Sequence, residues 1–273
     1  MDISFVILTW NSKEYISRCL SSYIDLLEDE KLSGEIWIVD NGSSDGTPTY
    51  IQKEIIPTIP QRHCINIIQL DKNMGTTMSR NMALRQVNGR YIVVCDSDTE
   101  YFEGSITDAL HMLESQKEIG LIAPLLLWPD GEPQPSVRKF PTILSKGLKL
   151  IEIMTNIKPG ISDMYHGFPW KDVRPVQTAA SAFWIFRKDM LSTVGYFDEK
   201  IFYSPEDVDY CLRTWKQGLR VIFFPTLKIY HHAQRISRKK PLSRHGLSHM
   251  VSYLYFFKKH GYLLDPGEFL KEI

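Results

Sequence analysis

Two aspartates separated by one residue, Asp96 and Asp98, follow directly after a Val/Ile-rich run that ends at Cys95. Side chains alternate across a strand, so residues two apart project to the same side. Two carboxylates that face one way repel each other unless a cation lies between them. Mg²⁺ and Mn²⁺ prefer oxygen ligands of this kind, together with substrate phosphates. The spacing therefore indicates a metal-bridged diphosphate site, although Asp-Ser-Asp is also ordinary turn chemistry after a strand.

Two further polar segments have the composition of ligand-binding loops. The segment from Val39 to Thr47 closes a second predicted strand, and its small residues let backbone approach a nucleotide. Asp40 in this segment is placed to accept a hydrogen bond from a base N–H. The segment from Asn73 to Ala83 brings Arg80 to a predicted helix start, where a guanidinium can contact phosphate or base. Each segment by itself also fits an ordinary turn between a strand and a helix.

Strand-like runs alternate with helical patterns in the first half of the chain, which predicts βαβ units. The predicted strands are 3–8, 35–39, 66–70, 90–95, 120–127 and 219–224. The predicted helices are 16–27, capped by Asn11 or Ser12, then 47–54, 79–87, 104–116, 206–217 and 243–259. Residues 128–141 contain four prolines and are interpreted as a loop or hairpin, and 143–163 as a short helix with a mobile loop.

The bulk composition is typical of a soluble globular protein. The chain has 273 residues, of which 43% are hydrophobic and 23% charged, enough for one large domain or a domain with an appendage. No apolar run approaches the ~20 residues that span a bilayer, and the N-terminus lacks the basic region of a signal peptide. The four scattered cysteines indicate buried free thiols in a reducing cytoplasm rather than disulfides or a zinc site.

Charge is distributed unevenly along the chain. The segment from Lys228 to Ile273 has nine basic and three acidic residues, so it carries +6, and the preceding 227 residues carry −6. This asymmetry fits an anionic partner at the C-terminal end, and equally a tail packed on the protein's own acidic body. The helix predicted at 243–259 is aromatic on one side and basic at its end. It fits an interfacial helix on anionic lipid or a helix packed on the protein itself.

Six blocks, in their order and spacing, resemble the family 2 glycosyltransferases of the GT-A fold. They are Thr9–Asn11, Val39–Thr47, Asn73–Ala83, Gly89–Asp98, Val194–Arg213 and Tyr230–His232. The resemblance spans roughly residues 3–237 and is strongest to bacterial rhamnosyltransferase-like enzymes of polysaccharide synthesis. It implies an α/β GT-A fold, with a Rossmann-like, mostly parallel central sheet flanked by helices and a C-terminal helical tail. The implied domain covers 1–237, with a nucleotide-sugar-binding half at 1–100 and an acceptor-binding half at 101–237, followed by a basic, aromatic extension at 238–273.

The resemblance also implies roles for individual residues. The nucleotide-sugar would be held by Thr9, Asn11, Asp40, Asn73, Arg80, Asp96 and Ser97. A metal ion, Mg²⁺ or Mn²⁺, would be bound by Asp98, with Asp96 nearer the ribose and also a candidate ligand. His232 would complete the metal site, and His231 is the alternative because the adjacent pair makes the register ambiguous. Asp207 would be the catalytic base.

Two positions have a second interpretation. Ser204 and Pro205 form a typical helix start, which would make Asp207 an acid that caps the helix and favours its dipole. Ser181 stands where the family usually has a glycine before alanine. We expect its side chain to alter how closely an acceptor approaches the sugar.

The function implied is inverting, metal-dependent transfer from a nucleotide-sugar, dTDP-rhamnose or a UDP-sugar, to a glycan or a polyprenyl-diphosphate-linked acceptor. The protein would be cytoplasmic, with peripheral contact to the inner face of the plasma membrane through its basic tail, and without a nucleic-acid partner. One alternative is a non-catalytic nucleotide-binding or scaffold protein of a polysaccharide-assembly complex. Another is a sugar-phosphate nucleotidyltransferase, which would need a Gly-rich, basic signature where this chain has Thr9–Ser12.

Overall fold

The computed structural model describes residues 1–60, 63–148, 163–233 and 244–262, with backbone only for 244–250. The strands are β1 Ile3–Thr9, β2 Gly34–Asp40, β3 Cys64–Gln69, β4 Tyr91–Asp96, β5 Thr99–Glu103, β6 Ile119–Leu127, β7 Val137–Arg138, β8 Arg174–Pro175, β9 Thr178–Ala179, β10 Phe183–Arg187 and β11 Arg220–His231. The helices are α1 Ile16–Asp29, α2 Thr47–Tyr50, α3 Thr76–Leu84, α4 Ile106–Ser115, α5 143–148, α6 Met190–Thr193, α7 Glu206–Lys216 and α8 Arg244–His260. Helix α2 continues into a π-helical turn, Ile51–Ile55, and a 3₁₀ turn, Ile56–Thr58.

The main sheet has the strand order β3-β2-β1-β4-β10-β6-β11-β5. Strands β3, β2, β1 and β4 are parallel neighbours, as the alternation of strands and helices predicts. Strand β10 lies antiparallel between β4 and β6, and β11 is parallel to β6 and antiparallel to β5. The prediction of an α/β protein with a mostly parallel sheet flanked by helices is thus confirmed. The same sheet contains strands from both predicted halves of the domain, 1–100 and 101–237.

The central strands are apolar on both faces because helices cover both sides of the sheet. In β1 all seven residues are buried. Phe5 and Ile7 face a core that includes residues of α1, whereas Val6 and Leu8 face a second core that includes residues of α3 and α7. Burial on both faces explains why the sequence shows a continuous hydrophobic run here instead of an alternating pattern.

The central strand β10 was not among the predicted strands, although its five residues are all buried. Strand β11 extends seven residues beyond the predicted end at Phe224, through an irregularity in its pairing with β6, so that His231 is its last residue. The predicted cap of α1 is wrong. Tyr15 occupies the cap position without a side-chain hydrogen bond, because Asn11 is engaged with a neighbouring loop.

The thiols of Cys19, Cys95 and Cys211 are buried and free, as the sequence predicts, and Cys64 is exposed. Burial raises the pKa of each of the three buried thiols, which keeps them protonated. They therefore serve as apolar core groups.

The C-terminal helix α8 packs against the body of the protein. Phe256 and Phe257 belong to the second core, and Lys259 Nζ lies 2.7 Å from Asp198 and 2.6 Å from Asp209. The sequence left open whether the basic tail contacts an anionic partner or packs on the protein's own acidic body. For this described part of the tail, the structure shows packing on the body. Among the described residues, no helix combines the length and the apolar composition needed to cross a membrane. Residues 149–162, which form most of the segment predicted as a short helix with a mobile loop at 143–163, lie outside the described residues, as do the tail residues 234–243 and 263–273.

Candidate active site

The site lies at the edge of the sheet where β1, β2 and β4 end. Thr9 is paired with Asp40 on β2, and Leu8 with Asp96 on β4, so the ends of the three strands lie side by side. The amide of Ser97 donates to the carbonyl of Leu8 at 3.0 Å, which holds the Asp-Ser-Asp turn against β1. Ligands of open α/β sheets bind outside the carboxyl ends of the strands. The candidate residues Thr9, Asp40 and Asp96 lie at this edge.

Asp40 is 1% exposed and has an acceptor atom available for a ligand. Its Oδ2 accepts a hydrogen bond from the Ser43 amide at 3.1 Å. Its Oδ1 is buried and has no hydrogen-bond partner among the described residues, and the same is true of Thr9 Oγ1. Because buried polar atoms are nearly always paired, these two oxygens mark where a bound molecule with N–H or O–H donors would fit.

Two predicted nucleoside-binding residues, Asn11 and Asn73, use their amide oxygens to join loops. Asn11 has a left-handed backbone, φ 51°, and its Oδ1 accepts from the Ser44 amide at 2.8 Å. Asn73 Oδ1 accepts from the Gly75 amide at 2.9 Å and from Asn41 Nδ2 at 3.0 Å. Both side chains therefore stabilise the loops around the site, and a contact with a nucleoside would be a second role.

Asn41 was missed by sequence reasoning, although it follows Asp40 directly. It is buried, and its Oδ1 accepts from the Met74 amide and from Ser79 Oγ, both at 2.8 Å. It thereby connects the end of β2 to the loop before α3. The signal that could have found it is an amide side chain next to a strand-end acid in a loop of small residues.

Arg80 lies inside α3 and is 1% exposed, whereas the sequence placed it at an accessible helix start. The helix begins earlier because Gly75, with φ 86°, occupies the cap position. The guanidinium donates to Asp96 Oδ1 at 2.5 Å and to Ser181 Oγ at 2.9 Å, and it lies 3.7 Å from Glu206 Oε1. Arg80 therefore fixes the position of Asp96 through a buried hydrogen bond. Because Arg80 is itself buried, it does not fit the role of an exposed cation that contacts phosphate.

Asp96, Asp98 and His231 converge so that one ligand atom from each lies within 4.8 Å of the others. The Nε2 atom of His231 is 3.6 Å from Asp98 Oδ1. Two carboxylates and an imidazole form a donor set that suits Mn²⁺ and, with additional water and phosphate oxygens, Mg²⁺. The side chains present thus fit the divalent cation that the sequence predicted.

Gln134 orients the histidine of this cluster. Its Nε2 donates to the carbonyls of His231 and Leu127, at 2.5 and 3.1 Å, so its Oε1 is left to accept. Oε1 lies 2.9 Å from His231 Nδ1. The proton is therefore assigned to Nδ1, which leaves the lone pair of Nε2 directed at the aspartates. Sequence reasoning missed Gln134 because it lies in a proline-rich loop without a motif.

His232, the preferred ligand in the sequence prediction, lies apart from the aspartate pair. Its Nε2 is 3.3 Å from Glu100 Oε2, and its ring packs 5.4 Å from the ring of Tyr15. Its backbone amide donates to the carbonyl of Asp98 at 2.9 Å, and its side chain is not part of the cluster of possible ligand atoms among the described residues. Of the two histidines that the sequence left open, His231 is thus the candidate ligand.

Asp207 is the second residue of α7 and one of the acids in its first turn. Pro205 occupies the cap position, without a side-chain hydrogen bond, so the predicted Ser204 cap is wrong. Asp207 Oδ1 accepts from the adjacent Val208 amide, at 2.8 Å. Burial raises the pKa of Asp207, although the Val208 amide and the charges of Arg138 and Lys146 partly oppose this. A carboxylate with a raised pKa is better suited to accept a proton near neutral pH.

The neighbouring acid, Glu206, is buried and holds its proton more strongly. Burial and then the charge of Asp207 raise the pKa of Glu206 to about 8. Ser181 Oγ donates to Glu206 Oε1 at 3.0 Å and accepts from Arg80 Nη1. The hydroxyl of Ser181 is thus directed at this buried pair. The contacts run from Asp96 through Arg80 and Ser181 to Glu206, the residue before Asp207, so the start of α7 is connected to the metal cluster.

Replacing Ser181 by Ala is expected to destabilise the protein by about 1–3 kcal/mol, because it leaves buried groups of Arg80 and Glu206 without their bridging hydroxyl. Urea unfolding measures the change. Ser136→Ala is the matched control, since Ser136 Oγ is also buried but has no hydrogen-bond partner among the described residues. Equal effects of the two substitutions would show that the Ser181 bridge contributes nothing.

Glu206 is expected to make the free energy of unfolding fall as pH rises. Its pKa is raised from 4.5 to about 8 in the folded protein, so between these values the folded state binds more protons than the unfolded chain, and stability decreases with pH. Glu206→Gln removes this contribution. We expect the wild type to lose a few kcal/mol more than the variant between about pH 5 and about pH 8, at ~1.4 kcal/mol per pKa unit. Urea unfolding at several pH values measures the two slopes, and parallel slopes would contradict the assignment.

Comparison with known proteins gives a consistent result. The family model described as glycosyl transferase family 2 matches residues 4–170. A similar protein is the N-acetylglucosaminyl-diphospho-decaprenol L-rhamnosyltransferase of Mycobacterium tuberculosis, 24% identical over 93% of this chain and 84% of that protein.

Two solved structures share the fold. GalNAc-T7 with UDP, GalNAc and Mn²⁺ matches with a TM-score of 0.69 at 13% identity, over 94% of this chain and 48% of that chain. The mannosyltransferase PcManGT from Pyrobaculum calidifontis, with GDP-Man and Mn²⁺, matches with a TM-score of 0.60 at 17% identity, over 97% and 66%. The chain therefore spans about half to two thirds of these structures, and the likeness confirms the predicted GT-A fold.

Proposed function

Because the chain belongs to glycosyltransferase family 2, we propose that it transfers a sugar from a nucleoside diphosphate donor to a hydroxyl group of a glycan or lipid-linked acceptor, with inversion at the anomeric carbon. The observation that carries the proposal is the convergence of Asp96, Asp98 and His231 within 4.8 Å. This cluster lies at the sheet edge that also holds Asp40, and Arg80 and Ser181 connect it to Glu206, the residue before Asp207.

The donor nucleotide is proposed to carry uracil or thymine. Both bases present an N–H flanked by carbonyls, and the buried, unpartnered Oδ1 of Asp40 is an acceptor for such a group. The oxygen of Thr9 next to it can accept from, or donate to, a second polar atom of the nucleoside. Uridine and thymidine are alike on this edge, so UDP-sugars and dTDP-rhamnose are both candidate donors. The name of the mycobacterial relative, a rhamnosyltransferase, favours dTDP-rhamnose.

The diphosphate is proposed to bind at the metal cluster. Asp98 and His231 would hold a Mg²⁺ or Mn²⁺ ion, with Asp96 nearer the ribose. A divalent cation bound there supplies positive charge to the leaving nucleoside diphosphate. Arg80 keeps Asp96 in place, and Gln134 keeps Nε2 of His231 free for the ion. The cluster is thus preorganised by these two neighbours.

Asp207 is proposed to take the proton from the acceptor hydroxyl as that oxygen attacks the anomeric carbon. Its raised pKa makes it a stronger base than an exposed aspartate. The more strongly protonated Glu206 beside it adds no second negative charge at neutral pH. This division of roles between two carboxylates follows from their different burial and partners.

The acceptor is proposed to be a sugar linked through diphosphate to a polyprenol. This rests on the printed name of the mycobacterial relative, which acts on N-acetylglucosaminyl-diphospho-decaprenol. A cytoplasmic location and contact between the basic tail and the inner face of the membrane remain predictions from the sequence. The described part of the tail is held to the protein by Lys259.

Nucleotide release tests the proposal. The purified protein is incubated with Mn²⁺, an acceptor probe and, in turn, dTDP-rhamnose, UDP-N-acetylglucosamine, UDP-glucose and GDP-mannose. We expect acceptor-dependent release of dTDP or UDP, and none of GDP. Titration calorimetry of UDP and dTDP with and without Mn²⁺ addresses the scaffold alternative. Metal-independent binding without turnover of any donor would overturn the enzyme proposal.

A further inference from the structure

The C-terminal helix α8 has two faces with different surroundings. Phe256 is fully buried and Phe257 is 4% exposed, and both pack into the second core. Val251 and Leu254, by contrast, are 65% and 63% exposed, the highest values among the large apolar side chains of the described residues. Lys258 is also exposed, and it follows Leu254 by four residues and Val251 by seven. At this spacing the three side chains form one stripe along the helix, which we call the outward face of α8.

A neighbouring helix adds further exposed apolar residues. The ammonium group of Lys146 in α5 lies 4.6 Å from the centre of the Tyr253 ring, which places α5 beside α8. Ile143 and Leu144 in α5 are 42% and 48% exposed. Single exposed apolar side chains are ordinary. Here, however, four of the eleven exposed large apolar residues in the described part of the chain lie on two adjacent helices. This concentration indicates a contact surface.

The charge of this region is positive. The sequence from Lys228 to Leu264 contains eight Lys or Arg residues and no Asp or Glu. The acids that α8 contacts, Asp198 and Asp209, both pair with Lys259 on its inward side. The exposed cation on the outward face is Lys258.

An anionic lipid surface matches both properties of the outward face. The boundary between headgroups and acyl chains takes up aliphatic side chains, and lipid phosphates attract a neighbouring basic residue. A second copy of the chain is a poorer match, because two aliphatic side chains are far from the ~800 Å² per partner that a specific protein interface buries.

We propose that the outward face of α8 docks on a bilayer that contains anionic lipids. Val251 and Leu254 enter the boundary between headgroups and acyl chains, and Lys258 pairs with lipid phosphate. The inward face stays on the body, where Lys259 joins α8 to Asp209, two residues after Asp207 in α7. Docking therefore holds α7 near the bilayer in which a lipid-linked acceptor lies. This last consequence rests on the proposed function, whereas the docking itself does not.

Binding to lipid vesicles tests the docking. The probes are vesicles of phosphatidylcholine alone, and of phosphatidylcholine and phosphatidylglycerol in equal parts, and co-sedimentation measures binding. We expect the wild type to bind the anionic vesicles and to be released by salt, which screens the charges. The double variant Val251→Gln/Leu254→Gln should bind at least about ten-fold more weakly, because it loses two buried aliphatic side chains. Lys258→Glu should bind at least about five-fold more weakly.

Two matched controls lie outside α8. Arg18→Glu reverses an exposed charge on α1, which packs against the core on the other side of the sheet. Val173→Gln removes an aliphatic side chain that is 44% exposed directly before β8. Both should bind anionic vesicles within two-fold of the wild type. All the substituted side chains are exposed, so each variant should keep the wild-type melting temperature, which thermal unfolding checks.

Two results would overturn the docking. The first is a wild type that does not bind anionic vesicles, or that binds them no better than the double variant does. The second is a dimer in sedimentation velocity that the double variant lacks, without vesicle binding. That result would assign the outward face to a second copy of the chain.

Transfer to two acceptor probes separates the docking from the proposed function. One probe is water-soluble N-acetylglucosaminyl-diphospho-hexanol, and the other is N-acetylglucosaminyl-diphospho-decaprenol in anionic vesicles. The double variant should keep the wild-type rate with the soluble probe and lose at least five-fold with the vesicle-bound one. Absence of transfer to both probes by the wild type refutes the proposed function and leaves the vesicle-binding result standing. An equal loss with both probes would show that the double variant damages the site, and would refute docking as the route to the acceptor.

Discussion

Replacing Asp207 by Asn is expected to lower the rate of sugar transfer at least ~100-fold, the contribution of a positioned general base, while the melting temperature stays nearly unchanged. Asparagine has the same shape but cannot take the acceptor proton. Its Oδ1 can still accept from the Val208 amide, which is the hydrogen bond that Asp207 makes within α7. The measurement is initial-rate kinetics at saturating donor, together with thermal unfolding of both proteins.

Asp209→Asn is the contrasting variant on the same helix. Asp209 is buried and contacts Arg213 at 2.9 Å, Lys259 at 2.6 Å and His260 at 2.8 Å. Weakening these buried pairs is expected to destabilise the protein by roughly 3–5 kcal/mol without altering the rate per folded molecule. If instead Asp207→Asn lost stability and kept activity, Asp207 would be a helix-capping acid, as the alternative from sequence has it.

Replacing His231 by Ala is expected to weaken Mn²⁺-dependent binding of UDP or dTDP by about 100-fold, because it removes one of three converging donors. His232→Ala is the matched control, since His232 is paired with Glu100. It should change binding by less than about three-fold, a limit set by the small worth of partly exposed ion pairs. Titration calorimetry with Mn²⁺, and again with a chelator, measures both variants.

Gln134→Ala gives an intermediate test of the same cluster. Without the Gln134 acceptor, the proton of His231 is no longer held on Nδ1, and affinity should fall about 10-fold, as for other groups that orient metal ligands. A greater loss for His232→Ala than for His231→Ala would overturn the assignment of the ligand. It would restore the register that the sequence resemblance favoured.

The first hundred residues were predictable from sequence because their contacts are between parallel neighbours. Alternating strands and helices determined β1 to β4, and the carboxyl ends of parallel strands necessarily meet at one edge. The amino-acid sequence alone therefore suffices to assign Asp40 and Asp96 to one site. Strand boundaries differed by only one or two residues, since apolar runs of this kind end at polar turn residues.

The second half depended on contacts that no local pattern specifies. Strand β10 enters the sheet antiparallel between β4 and β6, and this placement brings Ser181 to Arg80. Arg80 is buried because Ser181 covers its guanidinium. The local pattern of a helix start contains no information about this contact, and it therefore suggested an exposed cation. Gln134 reaches His231 from a loop 97 residues away in sequence, which makes its role invisible to spacing.

The choice between His231 and His232 shows where the sequence stops. The residue types and their place near a strand end were determined by sequence, and adjacent residues on a strand face opposite sides. Which of the two side chains faces the aspartates depends on how the residues of β11 alternate between the two faces of the sheet. Its pairing with β6 shifts between Phe224 and Lys228, and its pairing with β5 shifts between Lys228 and Ile229. An irregularity of this kind reverses the side to which every later residue points, so only the assembled sheet decides it.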